Sequence, residues 1–292
     1  MTQTPSSNSV PVADALSSRL NELAQQIPDL DDKVELRQII RISGENKGSV
    51  EDGIIRESPL TIYVNNKEIL TMLCTPADLE YLTVGFLWAE GMIQTRDDIK
   101  KIVASKEKGM VWVELLKDIE PFIEEMMFKR LVTSGCAKGA TFYNPLDAAL
   151  SSPVQSDLKV LPREIFSLAL RLQKESKLFQ MTGGVHGAAL CDREKFLFFS
   201  EDIGRHNAVD KVFGYCFLND IDPKDKILVS SGRLSSEIVL KASKREVPIV
   251  VSQAAPTDLS VRLSEKLGIT LIGFVRGKRM NIYTHENRVA SP

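Results

Sequence analysis

The last third of the chain alternates short apolar runs with amphipathic stretches, and this alternation restricts its fold more than any other feature. Ile227 to Ser230, Pro248 to Ser252 and Ile269 to Val275 read as strands. Ser235 to Ser243 and Asp258 to Leu267 read as the helices between them. Strands separated by helices in this way pack as a parallel sheet covered by its crossover helices. The expected class is therefore α/β.

Upstream, Ile165, Leu168, Ala169 and Leu172 mark an amphipathic helix after Pro162. Gly187 to Cys191 and Lys195 to Ser200 suggest a hairpin across Asp192-Arg193, and Asn207 is placed to cap a helix reaching about Phe217. The first half has a different rhythm. Val34 to Ile42 and Leu60 to Val64 read as strands, and Ile102 to Leu116 as a hairpin. Thr75-Pro76-Ala77-Asp78 has the form of a helix start, with Thr75 as cap, and Gly91 ends that helix. A helix is expected from Val12 to Gln26, after a polar tail that ends near Pro11. The expected organisation is a tail and helical extension over 1–33, a smaller α+β domain over 34–130, a cysteine loop and linker over 131–150, and an α/β domain over 151–292.

A chain of 292 residues with 43% hydrophobic content can bury a substantial core. Its 37 basic and 39 acidic residues nearly balance. That argues against a general nucleic-acid or membrane-surface binder. Met1 to Asn8 lack an apolar core, so no signal peptide is expected, and the longest apolar runs are strand-sized. The four cysteines (Cys74, Cys136, Cys191 and Cys216) form no C-x-x-C pair, which fits reduced thiols in the cytoplasm.

The expected carboxyl ends of the three parallel strands share a chemistry. They lead into Ser230-Ser231-Gly232-Arg233, Ser252-Gln253 and Arg276-Gly277-Lys278-Arg279. Ligands of open α/β sheets bind at such ends, and hydroxyls, helix-start N–H groups and guanidinium forks suit phosphate oxygens. Arg276 to Arg279 also reads as an ordinary solvated turn between two strands.

Two further clusters are polar and compact. Thr182 to Gly187 is a glycine-rich loop that carries His186. Glu201-Asp202-Ile203-Gly204-Arg205-His206-Asn207 sets two carboxylates, a guanidinium and an imidazole just before a helix. Arg205 and His206 would face a ligand there; the alternative is a capping network with Asp202 paired to Arg205. Neither cluster has the H-x-E and P-C-x-x-C pattern of the zinc deaminases, and no resident metal is expected.

Cys136 lies in Thr133-Ser134-Gly135-Cys136-Ala137-Lys138-Gly139, among small neighbours and beside Lys138. Small neighbours give access, and nearby positive charge favours the thiolate. The same features also describe an inert surface thiol. Cys74, Cys191 and Cys216 have apolar neighbours or fall within expected elements, and read as buried.

Taken together, PADLEYLTVGFLWAEGMI (76–93), the Cys136 loop, TGGVHGA (182–188), EDIGRHNAVDK (201–211), SGRLSSE (231–237) and GFVRGKR (273–279) resemble the FdhD family. These are sulfur carrier proteins required for formate dehydrogenase activity. The resemblance spans about Val34 to Arg288, and the block over 201–211 is its most specific part.

The resemblance implies a persulfide sulfurtransferase. Sulfur would pass from a cysteine desulfurase onto Cys136, then to the metal of a bis(molybdopterin guanine dinucleotide) molybdenum cofactor destined for formate dehydrogenase. A non-catalytic chaperone of that cofactor is the alternative. Phe274, Val275, Arg276, Gly277, Lys278 and Arg279 would hold a guanine nucleotide end. His186, Arg205, His206, Ser231 and Arg233 would complete the cradle. Two cradles suit a ligand with two nucleotide arms, so a homodimer is expected. The larger domain is expected to resemble the cytidine deaminase fold without its zinc ligands. Many relatives carry C-x-x-C in the loop where this chain has Cys136 alone, which excludes a two-cysteine relay within the loop unless Cys74, Cys191 or Cys216 reaches it.

Overall fold

The structure is a computed structural model that describes residues 21–117 and 152–291. The Cys136 loop and most of the expected 12–26 helix lie outside the described residues; 21–24 are helical.

After a helical turn α1 (Leu30–Lys33), β1 (Val34–Ser43) and β2 (Asn46–Ile55) form a two-stranded antiparallel ribbon. β3 (Ser58–Val64), β4 (Lys67–Cys74), β5 (Ile99–Ser105) and β6 (Met110–Leu115) form a four-stranded sheet of order β4-β3-β6-β5. Helix α2 (Leu79–Glu90) covers it. Leu60, Ile62, Val64, Val111 and Val113 of the sheet and Leu82, Phe86 and Leu87 of the helix share one apolar core.

The remaining elements are α3 (Pro162–Glu175), α4 (Lys177–Thr182), β7 (His186–Cys191), β8 (Phe196–Asp202), α5 (Arg205–Leu218), β9 (Ile227–Ser230), α6 (Ser236–Lys244), β10 (Ile249–Ser252), α7 (Asp258–Lys266), β11 (Thr270–Arg276) and β12 (Arg279–Ile282). Their six strands form one sheet of order β12-β11-β10-β9-β7-β8. The three strands expected to run parallel do so: β10 pairs in parallel with β9 and with β11. The sheet as a whole is mixed, however. The β7–β8 hairpin joins it antiparallel to β9, and β12 adds an antiparallel edge beside β11. A two-residue turn at Gly277-Lys278 reverses the chain before β12, so that strand cannot cross over.

Side chains alternate across the central strands. Ala188, Leu190, Leu228, Val250 and Leu271 pack with residues of α5, α6 and α7 in one core. Ala189, Ile227, Val229, Ile249, Val251 and Ile272 meet α3 in another. Burial on both faces explains why these strands read as unbroken apolar runs.

Helices α2 and α5 join the two sheets at very close range. A Cβ on Gly85 would fall 1.8 Å from the Asp210 carbonyl oxygen, and one on Gly214 would fall 1.8 Å from that of Tyr81. Only glycine fits at either position.

Two expected helix starts are displaced. Helix α2 begins at Leu79, and its N-cap Asp78 is in the left-handed region at φ 54°. Thr75 does not cap it. Its N–H donates to Asp202 Oδ2 at 3.1 Å and its Oγ1 accepts from the Ile203 N–H at 3.1 Å. Similarly, α5 starts at Arg205 with Gly204 as N-cap. Asn207 lies in the first turn and donates to Asp202 Oδ1 at 2.8 Å and to the Leu73 carbonyl at 2.9 Å. In both cases a partner distant in sequence outcompetes the local backbone for a side chain that could have capped.

Candidate functional site

The parallel strands end on one side of the sheet, and the loops beyond them form a continuous polar rim. Ser230 is level with Ser252, and Val251 is level with Ile272. Ser252 Oγ donates to the Gly232 carbonyl at 2.6 Å, which ties the first loop to the second. The Phe274 N–H donates to the Ala254 carbonyl at 3.1 Å, which ties the second to the third. Arg276 Nε reaches the Gln253 carbonyl at 3.4 Å.

His186 and Ser231 enter this rim together from β7 and the loop after β9. The Gly187 N–H donates to Ser231 Oγ at 3.0 Å, and His186 Nδ1 lies 3.4 Å from the same oxygen. Burial, then the nearby Arg205 and Arg233 guanidinium groups, lower the His186 pKa. Gly232 makes room for Arg205: a Cβ there would lie 2.8 Å from the Arg205 Cβ. Arg205 and His206 begin α5, so the helix N-terminus adds its own positive field to the rim. His206 sits deeper. Its Nε2 is 3.1 Å from Glu237 Oε2 on α6. Burial and the neighbouring Lys241, Arg205 and His186 hold its pKa down at about 2, so the imidazole is neutral. Glu237 carried no signal in the sequence reading beyond its place in the 231–237 block.

The carboxylates of the 201–211 block are structural. Asp202 pairs with Lys211 at 2.7 Å, with both side chains fully buried. The capping alternative expected Arg205 in this place, and the ion pair seen at Asp202 is with Lys211. Asp202 also accepts from the Thr75, Gly204 and Asn207 nitrogens. Lys211 adds contacts to the Thr75 and Glu201 carbonyls, each at 3.3 Å. Glu201 accepts from the Leu178 and Phe179 N–H groups, both at 3.0 Å, at the start of α4. Burial raises its pKa to about 7.

The 274–279 segment contributes in two ways. Val275 is buried in the core, so only its backbone can face a ligand. Arg276, Gly277, Lys278 and Arg279 are exposed at the β11–β12 turn. The plain description of this segment as a turn is correct in form, and the turn stands at the edge of the rim. Before it, pairing shifts register between Gly273 and Arg276, and Phe274 adopts φ 54°. An aromatic residue in the left-handed region is uncommon, and such strain concentrates at ligand-binding sites. No periodicity or motif announced it.

Three of the four thiols are accounted for. Cys74, Cys191 and Cys216 are fully buried. Burial pushes the Cys74 and Cys216 thiols up to about 12, and the Cys191 thiol up as well. Among the described residues, no three His, Cys, Asp or Glu side chains converge as a metal-ligand set. No described helix is long and apolar enough to cross a membrane.

A mixed α/β protein with a basic, hydroxyl-lined rim at the strand ends is thus the class defined by fold and site. Comparison with known proteins narrows it. The model of the FdhD/NarQ family matches residues 55–290, and the chain belongs to that family. A sulfur carrier protein FdhD from Bacillus subtilis is 42% identical over 261 residues, 89% of this chain and 99% of that protein. Its counterpart from Halalkalibacterium halodurans is 44% identical over 258 residues, 88% of this chain and 95% of that one. The crystal structure of a candidate formate dehydrogenase accessory protein from Desulfotalea psychrophila superposes with a TM-score of 0.71 at 25% identity, covering 88% of this chain and all of that one.

Proposed function

We propose that this protein is a cytoplasmic sulfurtransferase that carries sulfur as a persulfide on Cys136 and delivers it to a molybdenum cofactor needed by formate dehydrogenase. The observation that carries this reading is the state of the other thiols. Full burial and raised pKa values make Cys74, Cys191 and Cys216 poor nucleophiles, because the thiolate is the reactive form. Cys136 is left as the carrier.

In the first step, the Cys136 thiolate attacks the outer sulfur of a persulfide on a cysteine desulfurase. The donor S–S bond breaks, a new S–S bond forms on Cys136, and the donor cysteine leaves as a thiolate. In the second step the Cys136 S–S bond would break with its electron pair leaving on the Cys136 thiolate, and the outer sulfur would be taken up by the client as sulfide, the two electrons for that reduction coming from the client's reduced metal. The client is bis(molybdopterin guanine dinucleotide) molybdenum cofactor. The rim supplies what its phosphate-bearing ends need. Arg276, Lys278 and Arg279 offer charge at the turn, and Phe274 and the 275–277 backbone lie beside it. Ser231, His186, Arg233 and the α5 start with Arg205 and His206 offer donors. Two copies of the chain would present two such rims to the two guanine ends. The six-stranded sheet then corresponds to a cytidine deaminase-like fold whose catalytic position has been given over to binding.

Mass analysis tests the carrier role. After incubation with a cysteine desulfurase and cysteine, the Cys136 peptide should gain one sulfur atom, and Cys136→Ala should gain none. A wild-type protein that binds guanine nucleotide but acquires no sulfur on Cys136 would instead be a cofactor chaperone.

A further inference from the structure

The β1–β2 ribbon belongs to neither larger sheet. Its register sets five cross-strand rows on one face: Val34 with Ile55, Leu36 with Gly53, Gln38 with Glu51, Ile40 with Ser49, and Ile42 with Lys47. Only the base of that face is covered. Val34 is buried, and a Cβ on Gly53 would lie 3.1 Å from the Met181 side chain. Further out, Leu36, Ile40 and Ile42 are 45%, 61% and 69% exposed. A row of large aliphatic side chains on a ribbon of this kind is a surface that calls for a partner.

The charges differ between the two faces. On the opposite face, Arg37 pairs with Glu35, and Arg41 pairs with Asp52 at 3.1 Å. On the apolar face, Lys47 and Glu51 flank Ser49 and make no ion pair among the described residues.

We propose that this apolar face docks a second copy of the chain, ribbon on ribbon, across a two-fold axis through the Ile40–Ser49 row. Stacking the face antiparallel on itself brings each row opposite its mirror row. With the axis at Ile40–Ser49, Ile40 meets Ile40 of the partner subunit, and Lys47 meets Glu51 of the partner subunit, twice. Moving the axis by one row sets Glu51 on Glu51 or Lys47 on Lys47. The unpaired charges therefore select one register and penalise its neighbours. The inference rests on the two-copy assembly proposed above and adds where the copies meet.

Sedimentation velocity on the full chain at micromolar concentration and low salt tests it. Wild type should sediment as a dimer. Lys47→Glu and Glu51→Lys should each weaken self-association by roughly tenfold, since each sets like charges together twice. The Lys47→Glu/Glu51→Lys double variant should recover to within about threefold of wild type, because the pairs are restored with reversed sign. An equimolar mixture of the two single variants should form a mixed dimer. Both positions are exposed, so unchanged circular dichroism will confirm that the variants fold. A monomeric wild type would sink the two-copy reading itself, and would point to residues 1–20 of the same chain as the cover. A dimer indifferent to both single variants would overturn only the ribbon interface. Loss in both single variants without recovery in the double would overturn the proposed register.

Discussion

Asp202 and Lys211 form an ion pair of 2.7 Å with no exposed surface on either side chain. The two residues lie nine positions apart, at the end of β8 and within α5. Through Thr75, which both of them contact, the pair also fastens the four-stranded sheet to the six-stranded one. Removing either partner strands the other charge in the core. Lys211→Met should cost about 3–5 kcal/mol of unfolding free energy, read from urea denaturation. The double variant Asp202→Asn/Lys211→Met should cost less than the two single losses added together.

The Gly85–Gly214 crossing should be equally intolerant. A methyl group at either position would overlap a carbonyl oxygen of the facing helix, and neither backbone can step aside without parting α2 from α5. Gly85→Ala and Gly214→Ala should each destabilise the fold by more than about 3 kcal/mol, visible as a lowered melting temperature.

Two buried groups impose opposite pH dependences. The His206 pKa falls from 6.5 to about 2 on folding. Its contribution to stability is therefore full above pH 6.5 and declines as pH falls below it, where only the unfolded chain takes up the proton. The Glu201 pKa rises from 4.5 to about 7. Its contribution is full below pH 4.5 and is lost as pH rises towards 7. Between pH 4.5 and 6.5 the two partly cancel. In urea titrations over this range, His206→Gln should become more stable on acidification, and Glu201→Gln should lose stability more steeply than wild type. Parallel curves for all three proteins would contradict both shifts.

Thiol chemistry gives a direct readout of the buried cysteines. Under native conditions Cys74, Cys191 and Cys216 should resist alkylation, and all three should react in urea. Replacing all three with Ala should leave sulfur loading of Cys136 intact.

Guanine nucleotide binding should follow the β11–β12 turn. Arg276→Ala/Arg279→Ala should weaken GDP affinity by roughly tenfold or more, measured by calorimetry, with the salt dependence of binding reduced. Unchanged affinity would remove this turn from the site.

The elements most legible in the sequence were those whose burial is simple. The central strands are apolar on both faces, and α3 carries one clear stripe through Ile165, Leu168, Ala169 and Leu172. Pro162 and Gly91 marked their helix ends correctly because their backbone preferences act locally. Local signals mislead where a side chain has a distant partner. Thr75 and Asn207 look like caps, yet the Thr75 hydroxyl accepts from the Ile203 N–H and the Asn207 amide donates to Asp202 and to the Leu73 carbonyl. The residues of the rim could be named from the strand ends, but their depth could not. Val275 turns into the core, and His206 sinks against Glu237. The left-handed Phe274 was invisible because no neighbouring residue requires it.

With the nucleotide site proposed above, the strained Phe274 sets durability against affinity at a single position. Glycine would occupy φ 54° without steric cost, so Phe274→Gly should relieve part of the roughly 1–3 kcal/mol typical of such strain. The same change removes the aromatic ring two positions before Arg276 and frees the backbone to wander. A variant selected only for heat resistance would be expected to drift towards glycine here and, if the turn holds the proposed nucleotide, to bind it less well. Thermal stability is thus a misleading guide to fitness at this residue.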